Sequence, residues 1–174
     1  MAKDIKTYYE QSYIDNTLRL REVLQTLPSF TKDYFRAVEP TTSAKTRISY
    51  AYDIRVFFHF LIENNPIYHD YTTTQFTLQD LERVEPIDIE EYLEYLKVYK
   101  ADDNQVITNG EKGLARKFSS LRSFYRYFYR HQMIEKNPTI FVDMPKLHDK
   151  AIIRLDIDEV ALLLDYVENC GKEL

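Results

Sequence analysis

The chain's 174 residues carry 28 acids against 23 bases, for a formal charge of −5, with 44% hydrophobic residues and three glycines. This composition fits a packed, helix-rich globule and excludes disordered and collagen-like classes. No stretch approaches 18 uncharged apolar residues, the first 15 residues lack an apolar signal core, and the single Cys170 permits no internal disulfide, so a cytoplasmic setting is expected.

In chain order, Ile14, Leu18, Val23, Leu24 and Leu27 recur at helical spacing until Pro28 stops the run. A short second helix over Thr31–Val38 ends before Pro40. In "PTTSAKT", Ser43 or a neighbouring threonine caps a third helix that runs to about Glu63. Its Tyr50, Ile54, Phe57, Phe58 and Leu61 share one side, with Lys45, Ser49, Tyr52 and His59 roughly opposite. "NNPIYHDYTTTQFT" reads as a loop. Pro86 opens the next helix, turning Ile89, Tyr92, Leu93 and Leu96 inward and Asp88, Glu90, Glu91 and Glu94 outward. "KADDNQVITNGEKG" reads as a polar loop. A helix from Gly113 follows and ends before Asn137-Pro138, and "TIFVDMPKLHDKAI" reads as a linker. Asp156 and Glu159 form a capping-box pattern on a last helix, whose Ile157, Val160, Ala161, Leu164 and Val167 make an apolar stripe. That stripe has no visible partner in the chain and suggests a further domain.

The acidic average conceals segregation. Residues 78–103 hold three bases against nine acids, and residues 104–150 hold nine bases against four acids. The basic block centres on "GLARKFSSLRSFYRYFYR", Gly113–Arg130, which contains no acid. With Leu114 at 0° on a helical wheel, Phe118, Leu121, Tyr125 and Phe128 form a core stripe. Arg116, Ser119, Ser123, Arg126 and Arg130 fall on the opposite side. Forked guanidiniums and short hydroxyls on one face suit a phosphate-lined groove. Two plainer explanations stay open: a solvated helix face, or docking on the acidic helix at 88–94. Intrahelical ion pairs are not among them, because the face has no acid to pair with.

Other chemistry finds little footing. His59, His69, His131 and His148 lack metal-ligand spacing, no glycine-rich phosphate loop occurs, and no base stands by any of the 15 tyrosines to activate it. No catalytic residue, metal site or cofactor is expected.

Three motifs in order resemble the core-binding domain of tyrosine recombinases, the phage-integrase and Xer-like family. "TRISYAYDIRVFFHFL" is similar to its opening signature, through Thr46, Tyr50, Asp53, Ile54 and Phe57. "VEPIDIEEYL" resembles the second. "ARKFSSLRSFYRYFYRHQMIEKNPT" resembles the third, through Arg116, Phe118, Ser119, Leu121, Arg122, Phe124, Tyr125, Tyr127, Ile134, Asn137 and Pro138. "MPKL" resembles the closing Pro-Lys, and "LDIDEVALLLDYVE" the first helix of the family's catalytic domain, with Asp156 where Ser or Thr is usual.

The resemblance implies an all-α fold: a SAM-like bundle of about four helices over 41–147, preceded by an N-terminal helical extension, 1–40. The linker and first helix of a catalytic domain would occupy 148–174. It further implies a DNA-binding arm of a site-specific recombinase, with two helices over the major groove of a double-stranded half-site and self-association of the full-length protein on DNA. The residues implied at the DNA are Thr42, Lys45, Thr46 and Ser49 from the helix at Ser43, with Thr41 beside them. From the basic helix come Arg116, Ser119, Ser123, Arg126 and Arg130, with Lys112, Lys117 and Arg122 as flank contacts. Lys146 and Lys150 would track the backbone through the linker. The family's cleavage residues are expected past Leu174, so no strand cleavage is expected of these residues. The alternative reading is a helical protein–protein interaction module whose basic face meets an acidic partner.

Overall fold

Thr7 and Glu10 start the first helix reciprocally: each side chain accepts a hydrogen bond from the other's backbone N–H. In a computed structural model, which describes residues 7–101, 104–146, 148 and 156–170, this helix, α1, spans Tyr8–Gln25. It begins six residues before the apolar periodicity does, because the cap and not burial sets its start. Helix α2, Thr31–Val38, has the expected bounds. A 3₁₀ turn at Glu39–Thr41 then leads to Ser43, whose hydroxyl accepts from the Thr46 N–H and caps α3, Ala44–Asn64.

Helix α3 is the spine of the bundle and touches α1, α5 and α6. Ile48, Ala51, Ile54, Phe57, Phe58, Phe60 and Leu61 are all buried, a wider arc than a one-sided helix presents. The expected loop after it holds two 3₁₀ turns, Pro66–Tyr68 and Thr73–Gln75, followed by a short helix, α4, Leu78–Arg83. A second reciprocal cap, Thr77 with Asp80, nucleates α4. Pro86 opens α5, Pro86–Tyr95, and Ile89, Tyr92 and Leu96 are fully buried.

The expected polar loop is instead an antiparallel hairpin, β1 Val98–Lys100 and β2 Val106–Thr108, pairing Tyr99 with Ile107. Buried Tyr99 stacks on Tyr95, and the Asn109 amide donates to the Leu96 carbonyl, fastening the hairpin to α5. Helix α6, Glu111–Arg130, follows, and a 3₁₀ turn at Pro138–Ile140 packs against α5 and α6. The last helix, α7, Ile157–Cys170, has no buried residue. At its start Glu159 accepts from the Asp156 N–H.

The core is aromatic. Phe124 of α6 makes edge-to-face contacts with Tyr34, Phe58 and Phe128, which join α2, α3 and α6 about one ring. Such pairs contribute about 0.5–1.5 kcal/mol each beyond the area they bury. The fold is all-α, with the small hairpin as its one sheet among the described residues.

Candidate nucleic-acid interface

Helix α6 buries Phe118, Leu121, Phe124, Tyr125 and Phe128, so its rotation is fixed by packing. The opposite face therefore points outward whatever its charge. Arg126 and Arg130 are exposed there and, among the described residues, make no hydrogen bond or ion pair. Half-buried Arg122 lies along the face with its guanidinium 5.7 Å from the Phe118 ring centroid. The hydroxyls are already engaged: Ser119 donates to the Ala115 carbonyl at 2.8 Å, and Ser123 accepts from Tyr34 at 3.0 Å. Burial is the main reason the Tyr34 hydroxyl is pushed up to about 12; its bond to Ser123 and the nearby Arg126 charge pull the other way. It remains a neutral donor.

The chain after α6 returns along this face. The Asn137 side chain accepts from both the N–H and the hydroxyl of buried Thr139, which fixes the turn at Asn137-Pro138. Eleven residues on, the His148 backbone N–H and ring Nδ1 meet the two carboxylate oxygens of Glu111, at 2.8 and 2.6 Å, beside the start of α6. Between these anchors lies an open groove of about 680 Å³. One wall is Ser119, Arg122, Ser123, Arg126 and Arg130; the other is Asn137, Thr139, Ile140 and Met144. No acid lines it. Arg126 and Arg130 also border a second depression beside Tyr34, Val38 and His131, so they stand on the ridge between the two.

On α3, Lys45 is exposed, while Thr46 and Ser49 are half-buried. Thr46 is bonded to the capping Ser43, and Ser49 donates to the Lys45 carbonyl. Thr42 is half-buried and donates to the Val38 carbonyl. Lys45, Ser49 and Asp53 succeed one another at i, i+4, on one stripe. Asp53 is the hinge of the whole arrangement. Its buried carboxylate accepts two hydrogen bonds from Arg116, at 2.6 and 2.9 Å, and one from Lys117 Nζ at 3.1 Å.

At two positions the geometry adds a partner that the wheel does not contain. Lys117, expected on the flank, is buried with Asp53, because a carboxylate taken out of water needs a countercharge. Arg116 remains half-exposed but is held by the same carboxylate. Lys112 and Lys146 are exposed, and Lys150 lies outside the described residues. Among the described residues no ion pair joins α6 to the acidic face of α5; Arg116 and Lys117 of α6 pair with Asp53 of α3. Sequence reasoning missed Tyr50 and Tyr129 as groove residues and the Asn137–Thr139 wall, for which Asn-Pro was the available signal.

Residues 31–132 match the phage integrase N-terminal SAM-like domain. The chain belongs to that family. The tyrosine recombinase XerC of Caldanaerobacter subterraneus subsp. tengcongensis is 32% identical over 145 residues, covering 81% of this chain and 40% of its own length. XerC of Leptospira interrogans is 25% identical over 138 residues, 79% of this chain and 38% of its own. XerC of Pediococcus pentosaceus is 34% identical over 124 residues, 71% of this chain and 35% of its own. The chain thus spans about two fifths of the length of these relatives. No solved structure matches it. The SAM-like domain here includes α2 to α6 and hence both sides of the Asp53 ion pair. Among the described residues, no helix is long and apolar enough to cross a membrane.

Proposed function

We propose that this SAM-like domain is the DNA-binding arm of a tyrosine recombinase, gripping double-stranded DNA between the outer face of α6 and the N-terminal end of α3. The observation that carries this reading is the pair Arg126 and Arg130: two guanidiniums without an ion-pair partner among the described residues, on a ridge whose two grooves are lined by none of the described acids. Phosphates spaced along a duplex would supply the anions that the protein itself withholds. Arg122, Lys45, Lys112 and Lys146 extend the positive surface, and Thr46 and Ser49 offer small polar groups at the start of α3. In the recombination for which its relatives are named, this region would contribute affinity and some sequence reading. Strand cleavage would be the work of other residues, and self-association would occur with several copies on DNA in the cytoplasm.

The test is an amide chemical-shift titration with a duplex of about 20–30 base pairs, at low and at physiological salt. Salt-sensitive shifts are expected over Lys45–Ser49 and Arg116–Arg130. The low-salt arm is needed because nonspecific affinity is only about 10⁻⁴–10⁻⁶ M at physiological salt. An intact fold with no shifts at low salt would overturn the proposal. Shifts elicited equally by a polyacid would favour an acidic protein partner instead.

A further inference from the structure

Arg116 differs from the other arginines of α6 in a way that matters for recognition. A guanidinium has five N–H donors in a rigid plane. Nη1 and Nη2 of Arg116 each direct one at Asp53, leaving the Nε–H and the outward Nη hydrogens on edges that half-face solvent. Asp53 cannot swing to release them. It is buried, Lys117 binds its carboxylate from within, and its backbone carbonyl accepts from the Tyr92 hydroxyl. Lys117 also offsets the carboxylate's charge, so the cluster of one acid and two bases still presents a net positive charge through Arg116. Among the described residues nothing holds Arg126 or Arg130 in this way.

Building on the DNA-binding reading above, we propose that Asp53 is a positioning residue that fixes Arg116 as a directional fork for a base edge, whereas Arg126 and Arg130 make undirected phosphate contacts. The matching chemistry is guanine, whose O6 and N7 accept two parallel N–H donors in the major groove. A lysine carries the same charge but no fork, and an arginine without its carboxylate keeps the fork but loses its aim.

The experiment selects duplexes from a library with a randomised stretch of about 20–30 base pairs, using the chain as it stands and the variants Arg116→Lys, Asp53→Asn and Arg126→Ala. The parent should enrich guanine at one position. Arg116→Lys and Asp53→Asn should both lose that enrichment at that same position, Arg116→Lys with its salt dependence unchanged. Arg126→Ala should keep the enrichment while its log–log salt slope falls by about 0.9. Should Asp53→Asn not fold, Asp53→Glu, which displaces the carboxylate by one methylene, replaces it with the same expected loss. The proposal is overturned if the parent shows no preference, if Arg116→Lys retains it, or if the Asp53 variant changes a different position or none. A parent that binds no duplex even at low salt overturns the DNA-binding reading as well, and that outcome is distinct from binding without preference.

Discussion

Asp53 is the residue that ties α3 to α6 beneath the proposed interface, and its energetics are testable apart from DNA. Removing a buried carboxylate strands Lys117 in the interior, and breaking a buried pair in this way costs roughly 3–5 kcal/mol. Removing Arg116 is cheaper, because Lys117 still pairs and the lost side chain is half-exposed. Urea unfolding should therefore rank Asp53→Ala well below Arg116→Ala in stability; equal losses would contradict the buried-charge account. The free arginines should behave oppositely. Changing both Arg126 and Arg130 to Ala should leave stability nearly unaltered while weakening duplex binding several-fold and lowering the salt slope by about 1.8; a double variant that binds as the parent does would remove this face from the interface. These residue types were visible in the sequence as signature positions and wheel positions. The Asp53–Arg116 pair was not, because it joins residues 63 apart and a wheel for one helix carries no information about the next. For the same reason Lys117 was placed outside: its angle on α6 is intermediate, and the deciding factor is a carboxylate on α3.

Helix starts were legible where a side chain announces them. Ser43, Pro86 and Asp156 stand at or beside the observed beginnings of α3, α5 and α7. The Ser43 hydroxyl accepts from the Thr46 N–H at 3.1 Å, so Ser43→Ala should cost about 1 kcal/mol of stability. Ser43→Gly should cost only a few tenths, and thermal unfolding of the two variants would separate a capping effect from a packing effect. Elements held by tertiary contact were harder to see. Helix α4 has only six residues, too few for a periodic pattern, although its Thr77–Asp80 cap was present to be read. The hairpin strands are three residues each and lack a tight two-residue turn; their stability comes from Tyr99 on Tyr95 and from Asn109, neither of which is local information.

At the scale of the whole molecule, a tyrosine-rich core predicts how the fold fails in alkali. Burial pushes Tyr34 up to about 12, and pushes Tyr92 and Tyr125 well above the ordinary value. An unfolded tyrosine ionises near pH 10, so the unfolded chain releases protons first as pH climbs. Stability from these groups is thus complete below about pH 10 and declines above it, by up to roughly 1.4 kcal/mol per pH unit for each tyrosine. Thermal midpoints should be level between pH 8 and 9.5 and fall steeply towards pH 11. Tyr34→Phe should make the fall shallower, and an unchanged midpoint at pH 11 would refute the account. The return of the chain along α6 has a different kind of consequence. With His148 fastened to Glu111 at the start of α6, and the Asn137–Thr139 turn packed near its end, the returning chain is tied to both ends of the helix. One histidine–glutamate contact is therefore a clasp as much as a bond, closing the chain back on the helix it has just left.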